Sequence, residues 1–369
     1  MAITQYYVNP AIAGNSGTGT IGDPFGDLQY ALNTITRNST DGDQINIKAG
    51  TAEMLTAAIS YATYGSPTAA APLIFRGYTS AAEDGGVGVI NGSGSYAVSA
   101  NKDYVHFIDL RLTNCGAQII VRIGNHGSVV NCEVDTTSSI GIYIEGAGRA
   151  IGCYVHDCTA NHGIYMPTFS SVIGCYVAAC GGNANQYQIA AEGNDALVWN
   201  NICAPPVGAS GIYLNGHSAS VIGNSVYGTN GTGRGINVAA VANPALLNNI
   251  VEGFSGGGGV GILFASGAVL SMYHSNAVYN NTTNVSGTPK FVGLSANNDV
   301  LSGSPFVNAA SGDYDINGTV AGVTEDAWPL TFPGIASTTP KADKGAVQAG
   351  AGSSGGGAVS ISPWRGNIG

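Results

Sequence analysis

Charged residues are scarce in this sequence. Asp, Glu, Lys and Arg make up 9% of the 369 residues, against about 25% in ordinary soluble domains. Twelve basic residues against 22 acidic ones leave a net charge of −10, and Lys and Arg form no cluster. Because nucleic-acid binding relies on basic clusters that neutralise phosphates, we expect no nucleic-acid partner. The 56 glycines instead favour a fold with many tight turns.

Long apolar runs are also missing. No stretch of 18 apolar residues occurs, so the sequence predicts no membrane-spanning helix. The first residues, Met-Ala-Ile-Thr-Gln-Tyr-Tyr, lack the basic and apolar regions of a secretory signal. We therefore expect the protein to stay in the cell that makes it, or to leave by another route such as lysis.

The seven cysteines are odd in number and include no CxxC pair, which disfavours a complete disulfide framework and a zinc knuckle. Cys132, Cys153 and Cys175 share one repeat position, and Cys158 and Cys180 share another. Stacked strands lie about 4.8 Å apart, which leaves a disulfide within reach. We favour buried free thiols that fill apolar space. P-loop and HExxH motifs are absent, and no metal or other cofactor is predicted.

What the sequence does contain is a repeat of about 24 residues between Cys132 and Val278. One fragment reads NCEV, GCYV, GCYV, NNIC, GNSV, NNIV and SNAV, with steps of 21 to 27 residues. A second fragment, typified by Gly-Ile-Tyr, falls between these with steps of 22 to 26 residues. A unit of this length cannot bury its apolar face alone, so the repeat predicts a stack of similar turns.

Alternation within the second fragment assigns its side chains to two faces. The residues predicted to point inward are Ile142, Ile144, Ile164, Met166, Ile189, Ala191, Ile212, Leu214, Ile236, Val238, Ile262 and Phe264. Those predicted to point outward are Tyr143, Glu145, Tyr165, Glu192, Tyr213 and Asn215. The Asn of the first fragment is predicted to pair its amide with the next turn, which satisfies polar groups at a bend.

Three regions are predicted along the chain: a cap with a first strand at 1–50, a solenoid body with its closing region at 51–348, and a tail at 349–369. In the cap, Asp23-Pro24 is predicted to begin a short amphipathic helix, and Asp43–Lys48 to form a strand.

The tail combines a Gly-rich linker with a short apolar peptide. Val359, Ile361 and Trp364 are candidates for docking on a partner's sheet edge, and a frayed terminus is the alternative.

These features resemble the right-handed parallel β-helix proteins of the pectate-lyase-like superfamily. The resemblance rests on the Asn200-Asn-Ile and Asn248-Asn-Ile turns, the Gly-Ile-Tyr turns, the N-terminal Tyr7-Val-Asn-Pro segment and the closing Asp343–Gln348 segment. It covers about residues 5–348 and implies an all-β, right-handed parallel β-helix of about ten rungs, with a short N-terminal capping helix and a flexible C-terminal tail. A cap that begins directly after Met1 is similar to phage virion proteins of this class.

The superfamily includes lyases, hydrolases, epimerases, adhesins and bacteriophage tailspikes, so the fold does not fix the function. Hydrolysis would need two carboxyl groups, and Glu145 and Glu192 share an outward position about 9–10 Å apart, at the loose end for inversion. His156 and Asp157 form a second concentration of polar groups, with Asp135 and His162 nearby. We interpret this second group as solvated turn residues, with catalysis as the alternative.

The outward Tyr143, Tyr165 and Tyr213, with Asn215, are candidate glycan-binding residues. The interpretation that we favour for these tyrosines from the sequence alone is ordinary surface packing, or cover by a neighbouring subunit. We predict a structural surface protein of a bacteriophage virion, tailspike-like, a fibre or a decoration subunit, that also binds host glycans. Its expected partners are other virion proteins, further copies of itself in a homo-oligomer such as a trimer, and host-surface polysaccharide. A polysaccharide lyase or glycoside hydrolase is the first alternative, and a bacterial surface adhesin the second. Either alternative would place the protein outside the cell.

Overall fold

A computed structural model describes residues 3–98, 101–229, 231–240, 243–291, 295–296, 298–311, 313–317 and 320. They belong to two compact units, Met1–Tyr165 and Met166–Gly369. In each unit, short strands pair in parallel with the equivalent strands of neighbouring turns and form three sheets. This is a parallel β-helix, so the fold class predicted from the repeat is confirmed.

The first unit contains sheets 1 to 3. Sheet 1 pairs the strands Thr4–Val8, Asp43–Lys48, Leu73–Tyr78, Val105–Ile108, Ser128–Val130 and Arg149–Ile151. Sheet 2 pairs Ala52–Met54, Gly88–Asn91, Leu110–Gly116, Glu133–Thr137 and Tyr154–Cys158. Sheet 3 pairs Val121–Ile123, Ile142–Ile144 and Ile164–Met166. The strand predicted at Asp43–Lys48 therefore has the expected bounds.

The second unit contains sheets 4 to 6. Sheet 4 pairs Ser171–Ile173, Leu197–Trp199, Ser220–Ile222, Ala245–Leu247, Met272–His274 and Ser295–Ala296. Sheet 5 pairs Tyr176–Ala178, Ile202–Ala204, Ser225–Tyr227, Ile250–Glu252, Ala277–Tyr279 and Asp299–Val300. Sheet 6 pairs Tyr187–Ala191, Ser210–Leu214, Arg234–Val238, Val260–Phe264 and Thr283–Ser286. Eight turns of the described chain thus have three strands, three in the first unit and five in the second.

Five further elements complete the described part of the second unit: two strand pairs and a 3-10 turn. Val269–Leu270 pairs in parallel with Lys290–Phe291. Phe306–Asn308 pairs antiparallel with Asp313–Ile316 around the 3-10 turn Ala309–Ser311. Phe306 and Tyr314 of this hairpin are buried against Tyr227 of sheet 5, with ring centroids 6.4 and 6.1 Å from it. The hairpin therefore covers part of the outer face of that sheet.

The apolar core follows the predicted alternation. All twelve residues predicted to point inward are 0–3% exposed. In sheet 6, Ile212 pairs in register with Ile236, and Ile236 with Ile262, so identical side chains stack from turn to turn. Each buried side chain of this size stabilises the fold by about 1.5–3 kcal/mol. The assignment of the core face is confirmed.

The predicted asparagine ladder is present and buried. Each of Asn201, Asn224, Asn249 and Asn276 donates from Nδ2 to Oδ1 of the next ladder residue at 2.9–3.0 Å, and the last acceptor is Asn298. The backbone N–H of each of these four residues donates to the same oxygen at 2.9–3.1 Å. The ladder therefore satisfies the polar groups at the bend between sheets 4 and 5.

The seven cysteines are buried free thiols, as predicted. Burial raises the pKa of Cys132 well above its ordinary value, and the charge of the neighbouring Cys153 acts in the same direction. Both thiols point to backbone carbonyls, with Cys132 Sγ 3.3 Å from Val130 O and Cys153 Sγ 3.3 Å from Val129 O. Both thiols act as small apolar fillers, and the raised pKa of Cys132 keeps that thiol protonated.

The capping helix spans Leu28–Thr34, but it begins at a different residue than predicted. Its N-cap is Asp27, whose carboxylate accepts a hydrogen bond of 2.6 Å from the Tyr30 N–H. The prediction of Asp23 as the N-cap is wrong, because the Asp23 carboxylate accepts from the N–H and hydroxyl of Thr18 at 3.0 and 2.9 Å. In the described part of the chain no helix is long and apolar enough to cross a membrane.

The predicted closing segment Asp343–Gln348 and the tail at 349–369 lie outside the described residues. The docking candidates Val359, Ile361 and Trp364 lie outside them as well. The predicted region boundaries at 50 and 348 stay predictions.

Candidate functional site

A column of large side chains runs along the outer face of sheet 3. Arg122, Tyr143 and Tyr165 are paired in register on three successive strands, and all three are partly exposed. The two tyrosine rings lie 5.1 Å apart between centroids, and the Arg122 guanidinium lies 4.9 Å from the Tyr143 ring centre. We call these three residues the tyrosine strip.

Two further side chains contact the tyrosine strip, Glu145 and His162. Glu145, a predicted candidate catalytic acid, forms an ion pair with Arg122. His162 stacks on Tyr165, with ring centroids 5.6 Å apart and an interplanar angle of 11°. Glu145 therefore holds the guanidinium over the Tyr143 ring, where cation–π attraction adds to the ion pair.

The strip offers the chemistry that recognises a sugar ring. An aromatic face provides an apolar surface with negative potential, against which the C–H bonds of a sugar can pack. Tyrosine hydroxyls and the Arg122–Glu145 pair provide donors and acceptors for sugar hydroxyls. Because Tyr143 and Tyr165 stand on strands of a packed core, their spacing is fixed by the fold.

The remaining glycan-binding candidates lie in the second unit. Tyr213 stacks on Tyr187, with ring centroids 4.8 Å apart and an interplanar angle of 15°. Burial raises the pKa of Tyr213, and the charges of Tyr187 and Glu192 add to that effect. Asn215 is exposed just after the strand that carries Tyr213. Glu192, the second predicted carboxylate, thus lies near Tyr213 within this unit.

A second polar group lies on sheet 2 of the first unit. Glu133, Asp135 and His156 each place a ligand-type atom within 4.8 Å of the others. The strand register brings these side chains together, because Asp135 pairs with His156 on one adjacent strand and Glu133 pairs with Arg111 on the other. We call Arg111, Glu133, Asp135 and His156 the acid–histidine cluster.

Asp135 is the buried centre of this cluster, with its side chain 1% exposed. Its Oδ2 accepts from the Arg111 Nη2 at 2.7 Å and Nε at 2.9 Å. Its Oδ1 accepts from the hydroxyls of Thr113 and Thr136, the latter at 3.0 Å. With these acceptor sites filled, Asp135 is arranged as an ion-pair partner, since a catalytic carboxylate must face its substrate.

His156 lies between carboxylates on both sides of its ring. Nε2 is 3.2 Å from Glu133 Oε1, and Nδ1 is 2.8 Å from Asp157 Oδ2. Burial lowers the pKa of His156, but hydrogen bonds to Glu133 and Asp157 and the charge of Asp135 outweigh burial. The net pKa lies above the ordinary value, so the structure favours the imidazolium.

This arrangement predicts a pH-dependent contribution to stability. A histidine whose folded pKa is raised stabilises the fold fully below its unfolded pKa, about 6.5, and that contribution disappears as the pH rises through the folded pKa. We expect His156→Gln to lower the free energy of unfolding by about 2 kcal/mol at pH 5.5, with a smaller loss at pH 8.5. Urea unfolding at both pH values measures this, with the partly exposed His162→Gln as control. An equal loss at both pH values would contradict it.

The acid–histidine cluster is the one group among the described residues with metal-ligand spacing. A metal fits poorly there, because the Arg111 guanidinium lies 2.7 Å from Asp135 and 3.4 Å from Glu133 and supplies the positive charge. The sequence indicated Asp135, His156 and Asp157. The interpretation of Asp135 and His156 as solvated turn residues is wrong, because both lie on paired strands and are largely buried. Arg111 and Glu133 were missed from the sequence. Their separation of 22 residues, one step of the repeat, was the available signal.

No protein-family model and no curated protein matches this sequence. Among solved structures, pectate lyase Pel9A superposes with a TM-score of 0.51 and 13% identity over 95% of this chain and 97% of that chain. A rhamnogalacturonan lyase matches with a TM-score of 0.41 and 13% identity over 82% and 90% of the two chains. A tailspike protein of the E. coli bacteriophage HK620 matches at 0.32 and 11% over 68% and 72%. The likeness to the pectate lyase shows a shared parallel β-helix fold.

Proposed function

We propose that this chain is a structural surface protein of a bacteriophage virion, tailspike-like, a fibre or a decoration subunit, and that it binds host glycans through the tyrosine strip. The observation that carries the glycan contact is the in-register column of Arg122, Tyr143 and Tyr165, with partly exposed rings 5.1 Å apart. Strands of adjacent turns lie about 4.8 Å apart, so the strip presents two neighbouring aromatic rings, tilted at 53° to each other, on a rigid surface.

The ion pairs of the acidic side chains favour a protein that binds glycans over an enzyme that cleaves them. Glycoside hydrolases place two carboxyl groups about 5–5.5 or 6.5–9.5 Å apart, with room for substrate or water between them. In the first unit, Glu145 is paired with Arg122, and the buried Asp135 is paired with Arg111. These carboxylates balance positive charges within the fold.

Binding to surface polysaccharides of candidate bacterial hosts tests the glycan contact. We expect fluorescently labelled polysaccharide to bind the wild-type protein, and Tyr165→Ala to weaken binding at least tenfold, which corresponds to about 1.4 kcal/mol. Tyr96→Ala is the matched control, because Tyr96 is partly exposed in the same unit but lies outside the strip. Undiminished binding by Tyr165→Ala would refute the proposed contact.

The virion role implies assembly with other virion proteins and with further copies of this chain, in which a trimer is one arrangement. Light scattering of the purified protein should then give a mass of at least two times 37.1 kDa, the mass of one chain. Antibody labelling of phage particles should locate the protein on the virion surface. A monomer that is absent from particles and releases oligosaccharide would refute the virion role.

A carbohydrate-active enzyme is the second candidate, and one observation favours it. His156 is 16% exposed, has a raised pKa and contacts Glu133 and Asp157, as a general acid can. If the chain is such an enzyme, oligosaccharide release from host polysaccharide should be abolished by His156→Gln or Asp157→Asn. Release lost only with Glu192→Gln would place the chemistry in the second unit instead.

A further inference from the structure

A polar cavity of about 230 Å³ lies in the first unit beside the capping helix. Asp27, Gln29, Tyr30 and Asn33 line it from the helix and its N-cap, and Glu53 lines it from the strand Ala52–Met54. Pockets that hold drug-sized ligands usually measure about 300–1,000 Å³. This cavity therefore suits a smaller ligand, about one ring in size.

Glu53 is a buried carboxylate in the lining of this cavity, with few protein partners. It is 4% exposed, and its single hydrogen bond among the described residues runs from the Leu28 N–H to Oε1 at 3.0 Å. The second carboxylate oxygen has no protein donor, and no Lys, Arg or His of the described chain pairs with Glu53. This oxygen is not among the fully buried atoms that lack a partner, and Glu53 lines the cavity, so the oxygen is open to a donor that enters the cavity. The burial of the rest of the side chain strengthens a hydrogen bond or ion pair made there.

The rest of the wall adds negative charge and fixed geometry. Asp27 uses Oδ1 to cap the Tyr30 N–H at 2.6 Å. Gln29 is held by Asn33 at 3.1 Å and by the backbone of Ser60 at 2.9 and 2.7 Å, so this part of the wall is preorganised. Burial raises the pKa of Glu53 to about 7, opposed by the Leu28 hydrogen bond and reinforced by the charge of Asp27. Two carboxylates thus face one small space whose lining contains no cationic side chain.

We infer that this cavity binds a small, ring-sized molecule that carries a protonated amine, with the ammonium group between Glu53 and Asp27. The ammonium supplies the donor and the charge that the buried carboxylate lacks. Leu55 and Ile59 are buried parts of the lining and provide apolar contact for the ring. The inference is independent of the tyrosine strip and of the glycan proposal.

Isothermal titration with cyclohexylamine tests the inference, with cyclohexanol as the neutral ligand of the same ring size. We expect cyclohexylamine to bind at pH 8, and Glu53→Gln to weaken binding at least tenfold. The glutamine carbonyl can still accept from the Leu28 N–H, so this variant should keep the wild-type circular dichroism. Glu83→Gln is the matched control, since Glu83 is paired with Arg76 and does not line the cavity.

The pH dependence gives a second readout. Affinity for the amine should fall between pH 8 and pH 6, because Glu53 gains a proton near pH 7. Cyclohexanol binding as tight as amine binding, or undiminished amine binding by Glu53→Gln, would overturn the inference. An absence of amine binding to the wild-type protein at pH 8 would overturn it as well.

Discussion

Asn249→Ala should lower the free energy of unfolding by about 4 kcal/mol, the largest effect that we expect from a single substitution. Asn249 donates from Nδ2 to Val221 O and to Asn276 Oδ1, both at 2.9 Å. Its Oδ1 accepts from the N–H and the Nδ2 of Asn224, both at 3.0 Å. Alanine removes these bonds and leaves buried partners unsatisfied, and each such group costs about 1–3 kcal/mol.

Urea unfolding followed by circular dichroism measures this loss. Asn194→Ala is the matched control, because Asn194 is exposed and its side chain accepts one hydrogen bond of 2.9 Å from the His217 N–H. We expect the control to change the free energy of unfolding by less than about 1 kcal/mol. If both variants lose the same small amount, the ladder is not a main source of stability.

Glu53→Gln should stabilise the protein at high pH, by about 3 kcal/mol at pH 8.5. Burial raises the pKa of Glu53 from an ordinary 4.5 to about 7, and one pKa unit corresponds to about 1.4 kcal/mol. A carboxyl group whose folded pKa is raised destabilises the fold once it ionises. The destabilisation is absent below about pH 4.5, grows between pH 4.5 and 7, and is complete above pH 7.

The measurement is the free energy of unfolding of both proteins at several pH values between 4 and 8.5, without added amine. The advantage of Glu53→Gln should vanish near pH 4. The exposed Glu83, which pairs with Arg76 at 2.8 Å, provides the control, because Glu83→Gln should give no stabilisation that grows with pH. If Glu53→Gln is instead less stable than the wild-type protein at pH 8.5, the prediction is wrong. The ionised Glu53 carboxylate would then stabilise the fold through an interaction that glutamine cannot make.

The fold could be predicted from the sequence because its determinants repeat. Ile212, Ile236 and Ile262 occupy the same place in successive turns and pair in register. Asn200 and Asn248 precede ladder residues and have φ of 59° and 56°, so the first Asn of each Asn-Asn pair makes the bend and the second makes the ladder. Successive turns therefore show the same sequence features, an inward-pointing Ile and an Asn at the bend.

The sites could be predicted only in part, because they depend on which residues of adjacent turns face each other. The alternation placed Tyr143 and Tyr165 outward, and the register then places them side by side on adjacent strands. Arg111 lies before the first repeat found in the sequence, and Glu133 lies within that first repeat. The sequence therefore showed no earlier repeat from which their pairing could be predicted. The helix start was misplaced because Asp23 and Asp27 are both suitable N-caps, and only the turn with Thr18 decides between them.

The central claim is that the tyrosine strip is the glycan contact, and a crystal structure with a bound host oligosaccharide tests it most directly. The claim predicts a sugar ring packed on Tyr143 or Tyr165, with heavy atoms within about 4–4.5 Å of the tyrosine ring. An intact or cleaved oligosaccharide seated instead against Glu133 and His156, with the strip bare, would contradict it.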